Sequence, residues 1–460
     1  MSLQTADVVI CGAGIAGISA AYYLTRDSTV RDVLLVDEGA PLSLTSDKST
    51  ECYRNWWPGP GDAMVSMMNR SIDILEGLAD ESGNIFHLNR RGYLFATANP
   101  ERINDFRAQA EEAASFGAGA LRVHNGLSQG STYTPAPTEG YRNHLVGADL
   151  ITDPDLIRTH FPYLAKDTVA VIHPRRCGWF SAQQLGMYML ERAQQNGARF
   201  IQGRVDAVHV SGGRVAGVEI AGESGSQVIS TRHFINAAGP HLKPVGRLID
   251  VDLPVFSELH MKISIRDHME VFPREAPLLI WSDPQVLAWT EEEREILAEA
   301  EDTRFMLDPF PQGVHARAEG PADSQIVLIL WTYHTDPVPP TFPIEVDPFY
   351  ADIAMRGLAK MLPALEVYSE RPPKPYIDGG YYTKTEENRP LIGPLPVEGA
   401  WVMGALSGFG LMASPACGEL LSKHIAGTDL PHYAPWFQLS RYEDSEYQEL
   451  LKSWEQTGQL

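Results

Sequence analysis

The chain has 460 residues, of which 44% are hydrophobic and 21% charged; this composition is typical of a soluble globular enzyme and excludes a largely disordered chain. Its 37 basic and 59 acidic residues give a net charge of −22, which argues against nucleic acid and anionic membrane surfaces as partners. The four cysteines are far apart in the sequence, so neither a metal site nor a disulfide framework is predicted.

The N-terminus leads directly into an apolar strand, and no apolar run reaches the roughly 18 residues needed to span a bilayer. The sequence therefore predicts a cytoplasmic protein without a membrane partner.

The first predicted unit is a strand, a glycine-rich turn, a helix and a second strand. Residues 7–11 lead into Gly12, Gly14 and Gly17 in the pattern G-x-G-x-x-G, and the apolar run 33–36 ends at Asp37. In such a unit the glycines allow a tight turn, close approach of a pyrophosphate and close packing of the helix, and the acid binds ribose hydroxyls. The unit favours an adenosine-diphosphate cofactor such as FAD or NAD over NADP.

The segments that follow alternate between helical and two-residue periodicity. In chain order they predict a polar loop (43–59), a long helix from about residue 64, a short hairpin (91–95), a helix (about 100–115), a helix after Ser181, a hairpin (205–210 and 214–220), a buried strand (233–236), an antiparallel sheet (about 256–371) with a charged helical insert (289–305), and a final strand, turn and helix (400–427). No second complete nucleotide fingerprint is present, which argues against a reductase with two nucleotide cofactors.

Short motifs spread over nearly the whole chain carry a resemblance to a known family. They are the opening glycine fingerprint, Arg91-Gly92-Tyr93-Leu94, Gly178-Trp179-Phe180-Ser181, Asn236-Ala237-Ala238-Gly239, Tyr382-Thr383, Arg389-Pro390-Leu391-Ile392-Gly393, and Gly404 with Ser407-Gly408-Phe409-Gly410. Together they resemble the D-amino-acid-oxidase superfamily of FAD-dependent enzymes, in its glycine, sarcosine and dimethylglycine oxidase branch.

The resemblance implies a mixed α/β fold. A Rossmann-like FAD-binding domain of the glutathione-reductase type is expected at 1–85, 145–255 and 372–460. It is interleaved with a smaller antiparallel-sheet substrate domain at 86–144 and 256–371, as in p-hydroxybenzoate hydroxylase.

The resemblance also implies non-covalent FAD, because Gly380 occupies the place of the cysteine that ties the flavin in monomeric sarcosine oxidase. The turn at residues 407–410, called here the late glycine turn, is expected to be followed by a helix. The N-terminus of that helix would stabilise negative charge on the flavin's pyrimidine edge. The residues expected to bind FAD are Gly12, Gly14, Ile15, Ala16, Gly17, Asp37, Glu38, Thr45, Ser46, Ser49, Thr50, Val205, Ala237, Ala238, Gly239, Gly408, Phe409, Gly410, Leu411 and Met412.

For the substrate side, the resemblance places Arg54 as the clamp for a carboxylate, with a salt bridge to Glu51 as the alternative role. His260, Tyr382, Tyr53 and Tyr333 are expected to line the cavity above the flavin, although a lone histidine is more often structural. Met412 and Leu330 replace two lysines of the family, one credited with carboxylate binding and one with oxygen activation. A bulkier or less anionic amine, or a dehydrogenase, therefore fits as well as a small-amino-acid oxidase.

The predicted reaction is oxidation of a C–N bond in an amine or N-alkyl amino acid. Hydride passes to flavin N5, the imine hydrolyses, and oxygen or another acceptor reoxidises the flavin. No strong acid or base is required if the amine binds neutral, which agrees with the lack of a conspicuous catalytic pair in the sequence. The alternatives are a 2-hydroxy-acid oxidase or dehydrogenase and a non-catalytic flavoprotein subunit; the chain is expected as a monomer or homo-oligomer, with a partner subunit possible.

Overall fold

The computed structural model describes residues 4–27, 30–57, 59–126, 132–223, 225–452 and 454. The predicted domain ranges and the polar loop also include residues outside these. Within the described residues the α-helices are α1 (Ile15–Asp27), α2 (Ala63–Ser82), α3 (Arg102–Ala113), α4 (Pro154–His160), α5 (Ala182–Gln195), α6 (Leu242–Arg247), α7 (Glu291–Glu299), α8 (Tyr350–Met361), α9 (Gly410–Ala426) and α10 (Ser445–Lys452).

A six-stranded sheet forms the centre of the nucleotide-binding region. Its order is β10 (Arg199–Gln202), β3 (Val33–Asp37), β2 (Val8–Cys11), β14 (His233–Asn236), β21 (Ala400–Gly404) and β20 (Leu391–Pro394). The first five strands are parallel and β20 is antiparallel to β21. The side chains of β2 alternate between two cores, with Val8 and Ile10 on one face and Val9 and Cys11 on the other, because successive residues of a strand face opposite sides.

Helices and a second sheet cover the two faces of this sheet. Helix α1 packs against α5 and α9 on one side. On the other side is a four-stranded sheet of β1 (Gln4–Thr5), β13 (Gly225–Ser230), β12 (Arg214–Gly222) and β11 (Arg204–Ser211). Strands β11 and β12 are the predicted hairpin, and α5 begins where the Ser181 hydroxyl accepts a hydrogen bond from the Gln184 N–H.

A nine-stranded sheet carries the substrate side of the molecule. Its order is β19 (Tyr376–Lys384), β15 (Phe256–Arg266), β18 (Ile326–Leu330), β17 (His315–Glu319), β16 (Leu278–Trp281), β5 (Tyr93–Thr97), β8 (Ala170–Pro174), β7 (Ala148–Ile151) and β6 (Leu121–His124). A two-stranded ribbon, β4 (Cys52–Arg54) with β9 (Cys177–Trp179), lies beside it.

This mixed α/β fold with interleaved regions is the predicted class. The nine-stranded sheet differs in two respects from the smaller antiparallel sheet that was expected. It contains two parallel pairs, β16 with β5 and β6 with β7, and it is the largest sheet described. Strands β7, β8 and β19 belong to it, although the predicted boundaries at 145 and 372 assign them to the nucleotide-binding domain. Pairing between distant segments decides this membership, and the residues of a strand do not show by themselves which distant strand it pairs with.

Among the described residues, no helix is long and apolar enough to cross a membrane, and no group of three or more His, Cys, Asp or Glu side chains could hold a metal ion. All four cysteines are buried and free.

The buried residue Gly357 in α8 leaves room for the ring of Trp331, which directly follows β18 of the nine-stranded sheet. A Cβ on Gly357 would lie 2.6 Å from ring atom Cε3 of Trp331. The indole N–H of Trp331 donates to the Pro311 carbonyl. We expect Gly357→Ala to lower the free energy of unfolding by about 1–3 kcal/mol, because the ring has no space to retreat in a buried site.

The matched control for this prediction is Gly77→Ala in α2, where a Cβ would meet nothing within 4 Å. That change is expected to be neutral or to stabilise the protein by about 0.5–1 kcal/mol. Denaturant unfolding of both variants measures the difference. Equal stability of the two would show that Trp331 moves freely.

Candidate functional site

The first of two adjoining cavities has a volume of ≈ 650 Å³ and lies at the carboxyl ends of β2, β3 and β14. Most residues predicted to bind the cofactor line it. They are Gly12, Gly14, Ile15, Ala16, Asp37, Glu38, Thr45, Ser46, Ser49, Val205, Ala237, Ala238, Gly239, Gly408, Gly410 and Leu411. Ligands of open α/β sheets bind at this edge, where the strands end and the helices begin.

The turn after β2 depends on two close backbone approaches. Gly12 has φ +111°, and a Cβ there would lie 2.8 Å from the Ala237 carbonyl carbon and closer still to its oxygen. A Cβ on Gly17 would lie 3.0 Å from the carbonyl carbon of Gly12. Gly17 thus does not line the cavity; it packs α1 against the turn, as its place in the motif predicts.

Polar groups close the ends of this turn. The Asp37 carboxylate accepts hydrogen bonds from the N–H groups of Ala13 at 2.7 Å and Gly39 at 2.9 Å. The Ser46 hydroxyl accepts one from the Ile15 N–H at 3.0 Å. Asp37 is therefore held at the cavity wall at the end of β3.

The donor chemistry of this cavity fits a dinucleotide such as FAD. The first residues of α1 and α9, Ile15 and Gly410, both line it, so two helix N-termini offer N–H groups and positive dipole ends to an anion. Gly14 presents no side chain there, and a Cβ on it would meet only the Ser46 hydroxyl at 3.2 Å. The volume lies within the roughly 300–1,000 Å³ of cofactor sites.

A second cavity of ≈ 600 Å³ adjoins the first, since Tyr382 and Gly408 line both. Thr50, Phe409 and Met412, which were predicted to bind the cofactor, are in the wall of this second cavity. The late glycine turn consequently separates the two spaces. Much of the remaining lining comes from β4, β15, β19, the segment 309–313 and the segment 330–335, and β5, β16 and β17 each contribute one residue.

Arg54 is the cationic side chain that β4 brings to the second cavity. It is buried, and its guanidinium carbon lies 4.4 Å from the centre of the Trp57 ring. Burial lowers the pKa of Arg54. The alternative role, a salt bridge with Glu51, is not the pairing found: the Glu51 carboxylate binds Arg317 at 3.0 Å and the Ala182 N–H.

His260 lies in the same cavity with both ring nitrogens engaged. Nε2 is 3.0 Å from the Glu258 carboxylate and Nδ1 is 2.8 Å from the Thr332 hydroxyl. Its ring stacks on Tyr382 at 4.1 Å between centroids. The second oxygen of Glu258 binds Lys384 at 2.6 Å.

The electrostatics of this group follow from burial and from the ion pair. Burial raises the pKa of Glu258, but the hydrogen bonds from His260 and Lys384 outweigh it and the pKa is lowered. Burial lowers the pKa of His260 more than Glu258 raises it. At neutral pH the histidine is therefore neutral beside an ionised carboxylate.

No acid–base pair was predicted from the sequence, whereas the structure pairs His260 with Glu258, and Glu258, Thr332 and Lys384 were missed. Two of them have a signal in the two-residue period of strands. Glu258 shares a strand face with His260, and Lys384 shares one with Tyr382. Thr332 has no such signal, because only the pairing of β15 with β18 brings it to His260.

Tyr53 was expected to line the cavity above the flavin, but it does not lie in the wall of either cavity. It is fully buried, and its hydroxyl donates to the Asn89 carbonyl at 2.7 Å. Its neighbours Cys52 and Arg54 face the second cavity instead, as the alternation of side chains along β4 requires. Tyr333 and Leu330 do line the second cavity.

Comparison with known proteins identifies the family. The family DAO, FAD dependent oxidoreductase, matches residues 7–424. The chain belongs to the DAO family. It is therefore an FAD-dependent oxidoreductase, and FAD is the cofactor that the first cavity fits.

Individual relatives of this DAO-family chain are distant. It is 23% identical over 454 residues to the mitochondrial dimethylglycine dehydrogenase of Rattus norvegicus, a match that covers 96% of this chain and 45% of the rat protein. The chain thus spans less than half the length of that relative. Among solved structures it resembles L-proline dehydrogenase from P. horikoshii (TM-score 0.71, 18% identity, 96% and 98% of the two chains) and glycine oxidase from Geobacillus kaustophilus (TM-score 0.71, 15% identity, 95% and 99%).

Proposed function

We propose that this enzyme oxidises a C–N bond of an amine or N-alkyl amino acid to an imine, which hydrolyses to a carbonyl compound and a smaller amine. The observation that carries the proposal is the junction of the two cavities at Tyr382 and Gly408, with Arg54 and neutral His260 on the substrate side. FAD, when bound, supplies the acceptor for the hydride. The protein's part is to bind the amine, orient its carbon–hydrogen bond and exclude water.

The charge of the second cavity supports a substrate with an anionic group. Arg54 and Lys384 face it with one carboxylate, Glu258, which is already bound by Lys384. The cavity is thus locally positive in a chain whose net charge is −22. A guanidinium offers two parallel donors to a carboxylate, so an amino acid is favoured over a polyamine.

The size of the cavity supports a bulky substrate. Since a water molecule takes about 30 Å³, a cavity of ≈ 600 Å³ accommodates roughly 20 non-hydrogen atoms, several times the size of glycine. Phe310, Leu278, Leu330 and Tyr333 give it an apolar wall. An N-alkyl amino acid with a large apolar group fills this space better than sarcosine.

The His260–Glu258 pair also favours a second candidate, oxidation of a 2-hydroxy acid, because that reaction needs a base for the hydroxyl proton. An N-alkyl amino acid and a 2-hydroxy acid would both place a carboxylate against Arg54. They differ in the atom that loses a proton, nitrogen or oxygen.

We expect anaerobic addition of an N-methyl amino acid with an aromatic side chain to bleach the visible flavin absorbance. The second-order rate constant of bleaching should exceed the constant measured with sarcosine by about 10- to 100-fold, because burial of a large apolar side chain is worth about 1.5–3 kcal/mol. A stopped-flow panel of N-methyl amino acids, polyamines and matched 2-hydroxy acids measures this. Return of colour on admission of air would identify an oxidase, and persistent bleaching a dehydrogenase.

Bleaching by hydroxy acids alone would overturn the proposed reaction in favour of the second candidate. Equal rates for sarcosine and the aromatic substrate would contradict the size argument.

A further inference from the structure

We propose that Thr332, His260 and Glu258 form a hydroxyl–imidazole–carboxylate relay that removes a proton from the bound substrate, with Lys384 as its positioning residue. The proposal deepens the proposed function, on which it rests for the identity of the substrate. Its basis is geometric: three groups in one cavity wall, joined in series by hydrogen bonds of 2.8 and 3.0 Å.

The direction of the relay follows from the carboxylate at its end. Ionised Glu258 only accepts hydrogen bonds, so we assign the ring proton of His260 to Nε2, which donates to it. Nδ1 is then the acceptor of the Thr332 hydroxyl proton. Within the relay, the Thr332 oxygen keeps a lone pair that neither His260 nor Glu258 uses, so it can accept a proton at the cavity wall.

The proton transfer balances without another reactant. An N–H bond of the substrate ammonium breaks and its proton bonds to Thr332 Oγ, while the hydroxyl's own proton passes to His260 Nδ1. The Nε2–H bond stays intact. The products are a neutral amine, whose electron pair can assist C–H cleavage, and an imidazolium paired with the Glu258 carboxylate.

Three strands hold the relay in place. Glu258 and His260 project from one face of β15, Thr332 follows β18, and Lys384 extends from β19 to the free oxygen of Glu258. Tyr382 fixes the plane of the imidazole by stacking on it. Glu258 thus accepts a hydrogen bond from His260 at one carboxylate oxygen and pairs with Lys384 at the other.

The relay predicts a dependence of the reaction on pH. His260 must begin neutral, so the limiting rate of bleaching at saturating substrate should rise with pH through the pKa of His260, which lies below its ordinary value. The groups that face His260 are Glu258 on its own strand, Lys384 and Tyr382 on β19, Thr332 after β18 and His315 on β17. Of these, Glu258 raises its pKa and Lys384 lowers it.

The first test removes the hydroxyl. We expect Thr332→Val to slow bleaching by about 100-fold, the usual contribution of a positioned acid–base group, and Thr332→Ser to restore it to within about threefold. Thr341→Val is the matched control, because Thr341 is exposed on the same segment and its hydroxyl donates to the Pro339 carbonyl. Wild-type rates in Thr332→Val would overturn the relay.

The second test uses two variants that should shift the pKa of His260 in opposite directions. Residues with a merely structural role would not produce opposite shifts. Glu258→Gln should shift the pH profile to lower pH, since the pKa of His260 loses the carboxylate that raises it; Lys384→Met should shift it to higher pH. The NMR titration of the His260 ring proton in the FAD-loaded enzyme gives the same two shifts without turnover. Profiles and titrations that do not move, or that move together, would overturn the proposal.

Failure of the relay and failure of the proposed function give different results. If an amine bleaches the enzyme and the variants behave as wild type, the relay is wrong and the function stands. If only a 2-hydroxy acid bleaches it and the variants shift as expected, the relay stands and acts on a hydroxyl proton.

Discussion

The Gly12→Ala enzyme is expected to be isolated without its yellow cofactor. The added Cβ would lie 2.8 Å from the Ala237 carbonyl carbon, at a φ of +111° that L-residues rarely adopt. Both contacts are with backbone, so the turn and β14 must separate, and the N–H groups at the start of α1 move with the turn. We expect FAD to bind about 100- to 1,000-fold more weakly, which corresponds to about 3–4 kcal/mol. Equilibrium dialysis or fluorescence titration of the apoprotein with FAD measures it.

The Gly14→Ala variant distinguishes weaker binding of FAD from a loss of stability of the fold. Its Cβ would meet only the Ser46 hydroxyl at 3.2 Å, so the apoprotein should keep its wild-type thermal midpoint while FAD affinity falls. Gly12→Ala should lower both. A Gly12→Ala enzyme with one FAD per chain and an unchanged midpoint would show that β14 and the turn need not approach so closely.

Replacement of Arg54 by methionine is expected to remove recognition of a substrate carboxylate. Methionine keeps an unbranched apolar stem but has no charge or donor. Loss of a buried charged hydrogen-bonding partner costs about 2–5 kcal/mol, so we expect KM for an N-alkyl amino acid to rise by about 100- to 1,000-fold. The rate with a neutral amine of the same shape should change little. Steady-state kinetics with the acid and its amide measure this ratio.

Arg54→Lys is the control, because it keeps the charge but not the planar pair of donors; it should recover part of the selectivity. A purely structural Arg54 gives another pattern. Its replacement by an apolar residue would change the thermal midpoint and leave the acid-to-amide ratio at the wild-type value.

Local parts of this protein could be predicted because the residues that determine them are close in sequence. Gly12, Gly14, Gly17 and Asp37 lie within one strand–helix–strand unit, and their roles depend on that unit alone. The hairpin of β11 and β12 and the start of α5 at Ser181 are local in the same sense. The resemblance to other flavoenzymes then supplied Arg54 and His260, and it placed Tyr53 incorrectly because adjacent residues of β4 face opposite sides.

Glycine spacing within one short window was enough to predict the nucleotide-binding unit, and the short motifs along the chain carried the resemblance that implied the mixed α/β class and the family. Pairing between distant strands sets which strands form the nine-stranded sheet and which side chains line the second cavity. Lys384 meets Glu258 because β19 pairs with β15 across more than a hundred residues, and Thr332 meets His260 because β18 pairs with the other edge of β15. Backbone hydrogen bonds between strands form with any side chains, so the local pattern of a strand does not show which distant strand it pairs with.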